Sequence, residues 1–504
     1  MKQTYRLFIQ RAHELTELKS ILGLLQWDLE TTLPKRGVNV RAGQISTLSV
    51  MYHKKLTCPN LQELLDQMAD EDLDLWSKSS VKQLQRERDR AVCIPEGLVR
   101  ELAKTTSLAY EAWVQARKES SFSLFSPWLD KVLDLKRKEA TCFQSFSHPY
   151  EALLDEYEPE MTVSLLDSLF QSVKPRLSSL LDRTQASKHR PEHQILRGRF
   201  PISQQKTLGR LILTKMGFDW ESGRLDTSPH PFCIGISPLD VRITTRYVKE
   251  NFSSSLFAVI HEGGHALYEQ GLDTQYYGLP ACEAISLGIH ESQSRLWENQ
   301  VARSRPFWEY WLPKIKKNFP GSLEKLPLDN FLKAINHVKP SYIRVEADEV
   351  TYGLHVILRY ELEKLMIEGN LQVKDLEEAW NSKMKEYLGI VPEHSSEGVL
   401  QDTHWSQGLI GYFPTYLLGN LYAAQIFSHV ENDLPDLDQH LRNGHFKPLR
   451  EWLRKKIHRH GKTKSPDELI KNISGRNLDP DYMLNYLEKK FGELYTLDKP
   501  AISC

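Results

Sequence analysis

FSSSLFAVIHEGGHALYEQG, residues 252–271, is the stretch whose reading decides the fold. Leu256, Phe257, Ile260, Gly264, Leu267 and Tyr268 recur at three- and four-residue spacing, so the stretch reads as a core-facing helix. Ser253, Ser254 and Ser255 offer N-caps. On such a helix His261 and His265 stand one turn apart on one face and can grip one metal ion. Glu262 then lies beside the ion's open position, where a general base for an attacking water belongs. A chain with 18 histidines in 504 residues would show this string by accident in about one case in twenty, so its surroundings must decide its meaning. Gly263 and Gly264 each weaken a helix interior by about 1 kcal/mol relative to Ala, which calls for close approach of a substrate or of a second helix.

Outward from the motif the helical period dominates. Leu15, Leu18, Leu22, Leu25 and Leu29 repeat every three or four residues and stop before Pro34, giving a long first helix. Leu165, Leu169, Val173 and Leu177 behave alike, as do Val356, Tyr360 and Leu365. One segment differs. Between Phe232 and Val248, Cys233, Ile234, Ile236, Val241, Ile243, Thr245 and Tyr247 alternate around Ser237-Pro238, the pattern of a hairpin just upstream of the motif helix. Its edge is suited to bind an extended peptide by strand addition. The expected fold is therefore mainly α, a large multi-helix body with a small β-sheet or hairpin beside the active-site cleft. No Pro/Gly/Ser-rich linker divides the chain, so residues 1–504 are expected to form a single catalytic domain with lobes flanking the cleft.

Composition narrows the function classes. Sixty-five Lys and Arg oppose 66 Asp and Glu, a net charge of −1, which removes the electrostatic case for nucleic acid or an anionic membrane. Arg86, Arg88 and Arg90, interleaved with Glu87 and Asp89, read as a solvated helix face. The longest apolar run, Gly408 to Phe427, is broken by Pro414 and Asn420 and reads as buried helix rather than a membrane span. No signal peptide is evident at the N-terminus. Cys58, Cys93, Cys142, Cys233, Cys282 and Cys504 show no paired spacing, and reduced thiols in a cytoplasmic protein are the simplest account. Cys282, near the motif, reads as a buried apolar Cys rather than a ligand.

A catalytic zinc site needs a third protein ligand. Tyr268 and Gly271 stand where the metzincin pattern needs Gly and His, so a carboxylate must serve. Glu269, Glu283 and Glu291 are the candidates. Glu269 lies a turn too far along the motif helix, whereas Glu283 and Glu291 follow the turn-rich Gly271–Thr274 segment on a stretch that can return antiparallel. Glu291 sits in the dense polar run His290-Glu291-Ser292-Gln293-Ser294-Arg295, which costs stability in a core helix unless something such as a metal satisfies it.

With HEGGHALYEQG followed by GIHESQSRLWEN, the sequence resembles the carboxypeptidase Taq family of metallocarboxypeptidases. His230-Pro231-Phe232 matches HPF, Asp240 to Thr244 matches DxRxT, His290 to Gln293 matches HESQ, Ile343 to Asp348 matches IRxxAD, and Gly398 to Trp405 matches GxxQDxHW. Trp27-Asp28 through Arg41-Ala42, SLAYEAW from Ser107 and YEALLDEYEPEMT from Tyr150 extend the likeness over nearly the whole chain. Glu160 departs from it, standing where Gly is expected in a turn. The resemblance implies one Zn2+ per chain, with Co2+ or Mn2+ as possible substitutes, held by His261, His265 and Glu291. It further implies Glu262 as the catalytic carboxylate, peptides with a free C-terminus as substrates, and a homodimer.

The chemistry asks for more groups. A developing oxyanion needs a donor, and His404 or Tyr416 is the candidate supplier. Metal-ligating imidazoles commonly donate their second N–H to a carboxylate, for which Asp348 and Asp402 are candidates. A carboxypeptidase must also clamp a terminal carboxylate, and Arg242 and Arg344 offer the bidentate fork. The resemblance favours Arg344. The alternative for each is a structural salt bridge to Asp240 or Asp348. His230 of the HPF match joins the substrate-binding candidates. Two other readings compete with a zinc carboxypeptidase: a zinc oligopeptidase cutting internal bonds, and a catalytically inactive peptide-binding protein.

Overall fold

In the computed structural model the described residues are 3–69, 71–191, 193–319 and 323–498; Met1, Lys2 and Cys504 lie outside them. The structure is 69% helical, with twenty α-helices and one three-stranded sheet among these residues. The first helix runs from Gln3 to Thr31, buries Phe8, Ala12, Leu15 and Leu18 at helical spacing, and ends before Pro34. Beyond Leu18 the leucine repeat is only half-buried, at Leu22, Leu25 and Leu29, and Trp27 is the buried residue. With Leu56, Leu61, Leu64, Leu65, Met68, Leu84 and Leu279 this helix builds a small core of its own. The main core extends from Ala109 to Tyr495. Trp76, stacked on Tyr276 with centroids 4.0 Å apart, packs against both.

The expected hairpin is present, and a third strand joins it. Strand β1 is Gly223–Thr227, β2 is Cys233–Ser237 and β3 is Asp240–Thr245. The order is β1-β3-β2, with β2 antiparallel and β1 parallel to β3. Sequence alternation missed β1 because Gly223-Arg224-Leu225-Asp226-Thr227 carries a single large apolar residue. Strand β2 is an edge, but Ser20 Oγ of the first helix donates to Ile236 O at 2.8 Å, so part of that edge is occupied.

Two smaller expectations change. Asn251, not the serine run, caps the motif helix Phe252–Glu269, its Oδ1 accepting from Ser253 N at 3.1 Å and Ser254 N at 3.4 Å. The Asn side chain sits two residues before the serine run, where the chain is still extended. The arginine face is not simply solvated: Arg86 and Arg90 both bond Asp155, at 2.7 and 3.1 Å, and Arg90 also donates to Ala152 O at 3.0 Å. Tertiary contact with the segment after Leu154 pulled these side chains in. Glu160, in the same segment, adopts φ +69° with its N–H on Asp155 Oδ1 at 3.1 Å. The left-handed turn that suits Gly is thus made by a Glu, at a cost of roughly 1–2 kcal/mol.

Candidate metal centre and cleft

Close helix contact accounts for both motif glycines. A Cβ on Gly263 would lie 2.6 Å from Leu213 Cδ2 of helix Ile202–Met216, and one on Gly264 2.6 Å from Gln293 O of helix Leu287–Arg295. That second helix carries Glu291. On its other side Gly419 of helix Pro414–Asp433 leaves room for Glu291 itself, since a Cβ there would meet Glu291 Cγ at 2.5 Å. Glu158 ties down the helix start, accepting from Gly288 N at 2.9 Å and Ser286 Oγ at 3.0 Å.

His261, His265 and Glu291 converge. Their donor atoms lie within 4.8 Å of one another, with Glu291 Oε2 3.2 Å from His265 Nε2 and 3.6 Å from His261 Nε2. Arg295 Nε holds the other oxygen at 2.6 Å, leaving Oε2 turned to the imidazoles. Behind His261, Nδ1 contacts Glu298 Oε2 at 2.9 Å, which directs Nε2 inward. His265 Nδ1 is buried without a hydrogen-bond partner, and its ring stacks on His290 at 4.5 Å. Two imidazoles and one carboxylate, each with an atom facing a common point, fit a first-row divalent cation with a position left for substrate or water.

Electrostatics agree with this arrangement. Burial pushes the Glu262 carboxyl up to about 7, with His261 opposing and Glu291 reinforcing the shift. Burial and His290 push His265 down to about 3, so its imidazole is neutral at neutral pH. Burial opposes ionisation of Glu291, but Arg295 and His261 hold its carboxyl well below the usual range. Glu298 is likewise held down to about 2 against its burial, by its bond to His261 and by Arg295.

The other candidates separate. Glu269 accepts from His290 Nε2 at 2.8 Å, and Glu283 is clasped by Lys19 at 3.1 Å and Lys462 at 2.5 Å, so neither joins the cluster. Cys282 is buried with Sγ toward Asp273 O at 3.5 Å. Asp348 caps the helix Thr351–Glu368 through Val350 N, Thr351 N and Thr351 Oγ1 rather than reaching an imidazole. Asp402 pairs with arginines, so the carboxylate behind the His261 imidazole is Glu298. Sequence reasoning passed it over because a π-helical turn, Leu296–Val301, sets its direction. Arg295, four residues after Glu291, was legible as a helix-spaced partner.

A cleft with a cavity volume of about 1850 Å3 runs over the cluster, lined by His261, Glu262, His265, Glu291, Arg344, Tyr416 and His230 among others. Cys233, Gly235 and Ile236 of β2 form part of its wall. Arg242 and His404 are not among the lining residues. Arg242 forks onto Asp240 at 2.8 and 2.9 Å and lies over the Trp27 ring, so the neighbouring-Asp alternative describes it. Arg344 pairs with Asp402 at 2.8 Å, not with Asp348, and contacts Tyr352 Oη at 3.1 Å. His404 Nε2 lies 3.1 Å from Tyr416 Oη, behind the wall that Tyr416 presents.

A mostly helical body with a His-Glu-x-x-His helix and a facing carboxylate under a peptide-sized cleft defines a metallopeptidase. The family model "Carboxypeptidase Taq (M32) metallopeptidase" matches residues 8–491. Carboxypeptidase 1 of Bacillus subtilis is 40% identical, covering 97% of this chain and 98% of its own. Thermostable carboxypeptidase 1 of Thermus thermophilus is 41% identical over 97% and 99%. The crystal structure of the M32 carboxypeptidase from Deinococcus radiodurans R1 superposes with TM-score 0.96 at 36% identity, covering 98% of this chain and all of that one. The chain belongs to the carboxypeptidase Taq (M32) family and is a metallocarboxypeptidase.

Proposed function

We propose that the enzyme is zinc-dependent and removes C-terminal residues from peptides lying along the cleft, with His261, His265 and Glu291 as metal ligands. The observation that carries this reading is the convergence of these three donors beside Glu262. When bound, Zn2+ supplies Lewis acidity toward the scissile carbonyl and the attacking water. Glu262 takes the proton from that water and passes it to the leaving amine, a task suited to a carboxyl raised to about 7 by burial. Glu298 keeps the His261 ring in its ligating orientation. Tyr416, on the cleft wall with His404 behind it, donates to the developing oxyanion. Arg344 takes the substrate's terminal carboxylate, and His230 borders the cleft as a further substrate contact.

The same reading makes residues 1–504 one catalytic unit with the two cores as lobes, acting as a homodimer in the cytoplasm; five free thiols among the described residues accord with a reducing compartment. Co2+ and Mn2+ remain substitutes by donor chemistry.

The test is Glu262→Gln. It is expected to keep its metal and lose roughly 10^2-fold or more in kcat. Near-normal turnover in the metal-replete variant sinks the assignment. A digest of free-acid and amidated peptides read by mass separates this enzyme from an endopeptidase, which cuts both. Light scattering that reports a monomer at micromolar concentration overturns the dimer.

A further inference from the structure

Behind the cleft wall two arginines share one carboxylate. Asp402 Oδ1 accepts from Arg344 Nη2 at 2.8 Å and Nε at 3.2 Å, while Oδ2 accepts from Arg359 Nε at 2.7 Å. Arg359 is fully buried and Arg344 is 4% exposed. Arginine does not shed its proton in a protein interior, so both charges persist.

Among the described residues no second carboxylate acts on the pair with equal weight. His355, one turn before Arg359, is held well below its ordinary pKa by burial and by Arg359, and His404 is pushed down to about 3 by burial, so both imidazoles are neutral. Glu363, one turn after Arg359, is engaged by Tyr150 Oη at 2.7 Å, Trp405 Nε1 at 2.8 Å and Gly411 N at 3.1 Å, and burial pushes its carboxyl up to about 7. Arg359 Nη1 donates to His355 O at 2.7 Å, and the Trp380 and Phe413 rings face its guanidinium at 4.6 and 5.4 Å. A buried cluster with surplus positive charge costs stability unless an anion arrives to balance it. Arg344 lines the cleft and Arg359 does not, so the surplus is met by the cleft only at Arg344.

The geometry points to Arg359 as a positioning residue for the substrate carboxylate. By occupying Asp402 Oδ2 it keeps Asp402 from closing a two-oxygen fork on Arg344, which retains an unspent N–H on each terminal nitrogen. Without it, Asp402 is free to neutralise Arg344 from within, and the cleft loses its pull on an anion. This rests on the proposed role of Arg344. Arg344→Ala losing free-acid and amidated ligands equally would remove that role and this inference with it. A selective Arg344 effect with no Arg359 effect would overturn this inference alone.

The experiment compares Arg359→Met, Arg359→Gln and Arg359→Lys holoenzymes on an N-blocked dipeptide with a free carboxylate, with the corresponding amide as competitive inhibitor. Both neutral variants are expected to raise KM about ten-fold while kcat stays within about two-fold, and Arg359→Lys to recover most of the loss. Inhibition by the amide should not change in any variant. An unchanged KM in the soluble neutral variant, a fall in kcat with equal weakening of the amide, or a lysine variant no better than methionine each overturns the proposal. Having two neutral side chains, one apolar and one polar, guards against loss of folding in either.

Discussion

The helices Phe252–Glu269 and Val38–Leu56 are 18 and 19 residues long, yet the first buries thirteen of its residues and the second only Leu56. Both hold glycine in their interior. At Gly264 a Cβ would strike the backbone of the Glu291 helix, whereas at Gly43 nothing lies within 4 Å. Val40, Val50 and Met51 of the second helix are exposed. The difference shows that the candidate metal centre is held by interlocked backbones, while the helix Val38–Leu56 lies mostly at the surface and depends more on local propensity.

The largest effect that sharpens this comparison is removal of a ligand. His265→Ala and Glu291→Ala are expected to lose both metal and activity, read by metal analysis and turnover. Full zinc affinity in Glu291→Ala would place the third ligand elsewhere. Next comes Gly264→Ala, which is expected to destabilise by about 3 kcal/mol or more in denaturant titration, since neither backbone can yield. A neutral result would mean the two helices can part.

The buried side of the comparison also carries a buried carboxylate, whereas Val38–Leu56 contains no Asp or Glu. Burial raises Glu158 from 4.5 to about 7. Its contribution to stability is full below about pH 4.5, where both folded and unfolded chains hold the proton, and is lost as pH rises to about 7. Glu158→Gln should flatten the stability profile between those limits. A profile as steep as the parent's would show that Glu158 does not titrate there. The smallest effect is expected at Gly43→Ala, a gain of roughly 0.5–1 kcal/mol from helix propensity alone. A loss there would reveal a contact that the free surface does not suggest.

The motif residues were legible because a helix imposes their geometry: four residues of spacing put His261 and His265 on one face, and Glu291 stood out as a charged residue in a core-facing polar run. The first helix, the hairpin and the mainly helical class followed from periodicity in the same way. Arg242 and Arg344 looked alike as sequence, each a lone Arg in a family motif. Only the fold separated them, by giving Arg242 a neighbour two residues away and Arg344 a carboxylate 58 residues away that it must share with Arg359.

The sequence by itself determined the mainly helical class and which residues are the candidate ligands and candidate base, because helical period, residue type and motif spacing are local properties. Tertiary structure alone decided that Glu298 backs His261, that Asp348 caps a helix, that β1 joins the sheet and that Arg344 faces the cleft. Each of these depends on distances between elements remote in the chain, set by side-chain volume and backbone approach, which no local period encodes.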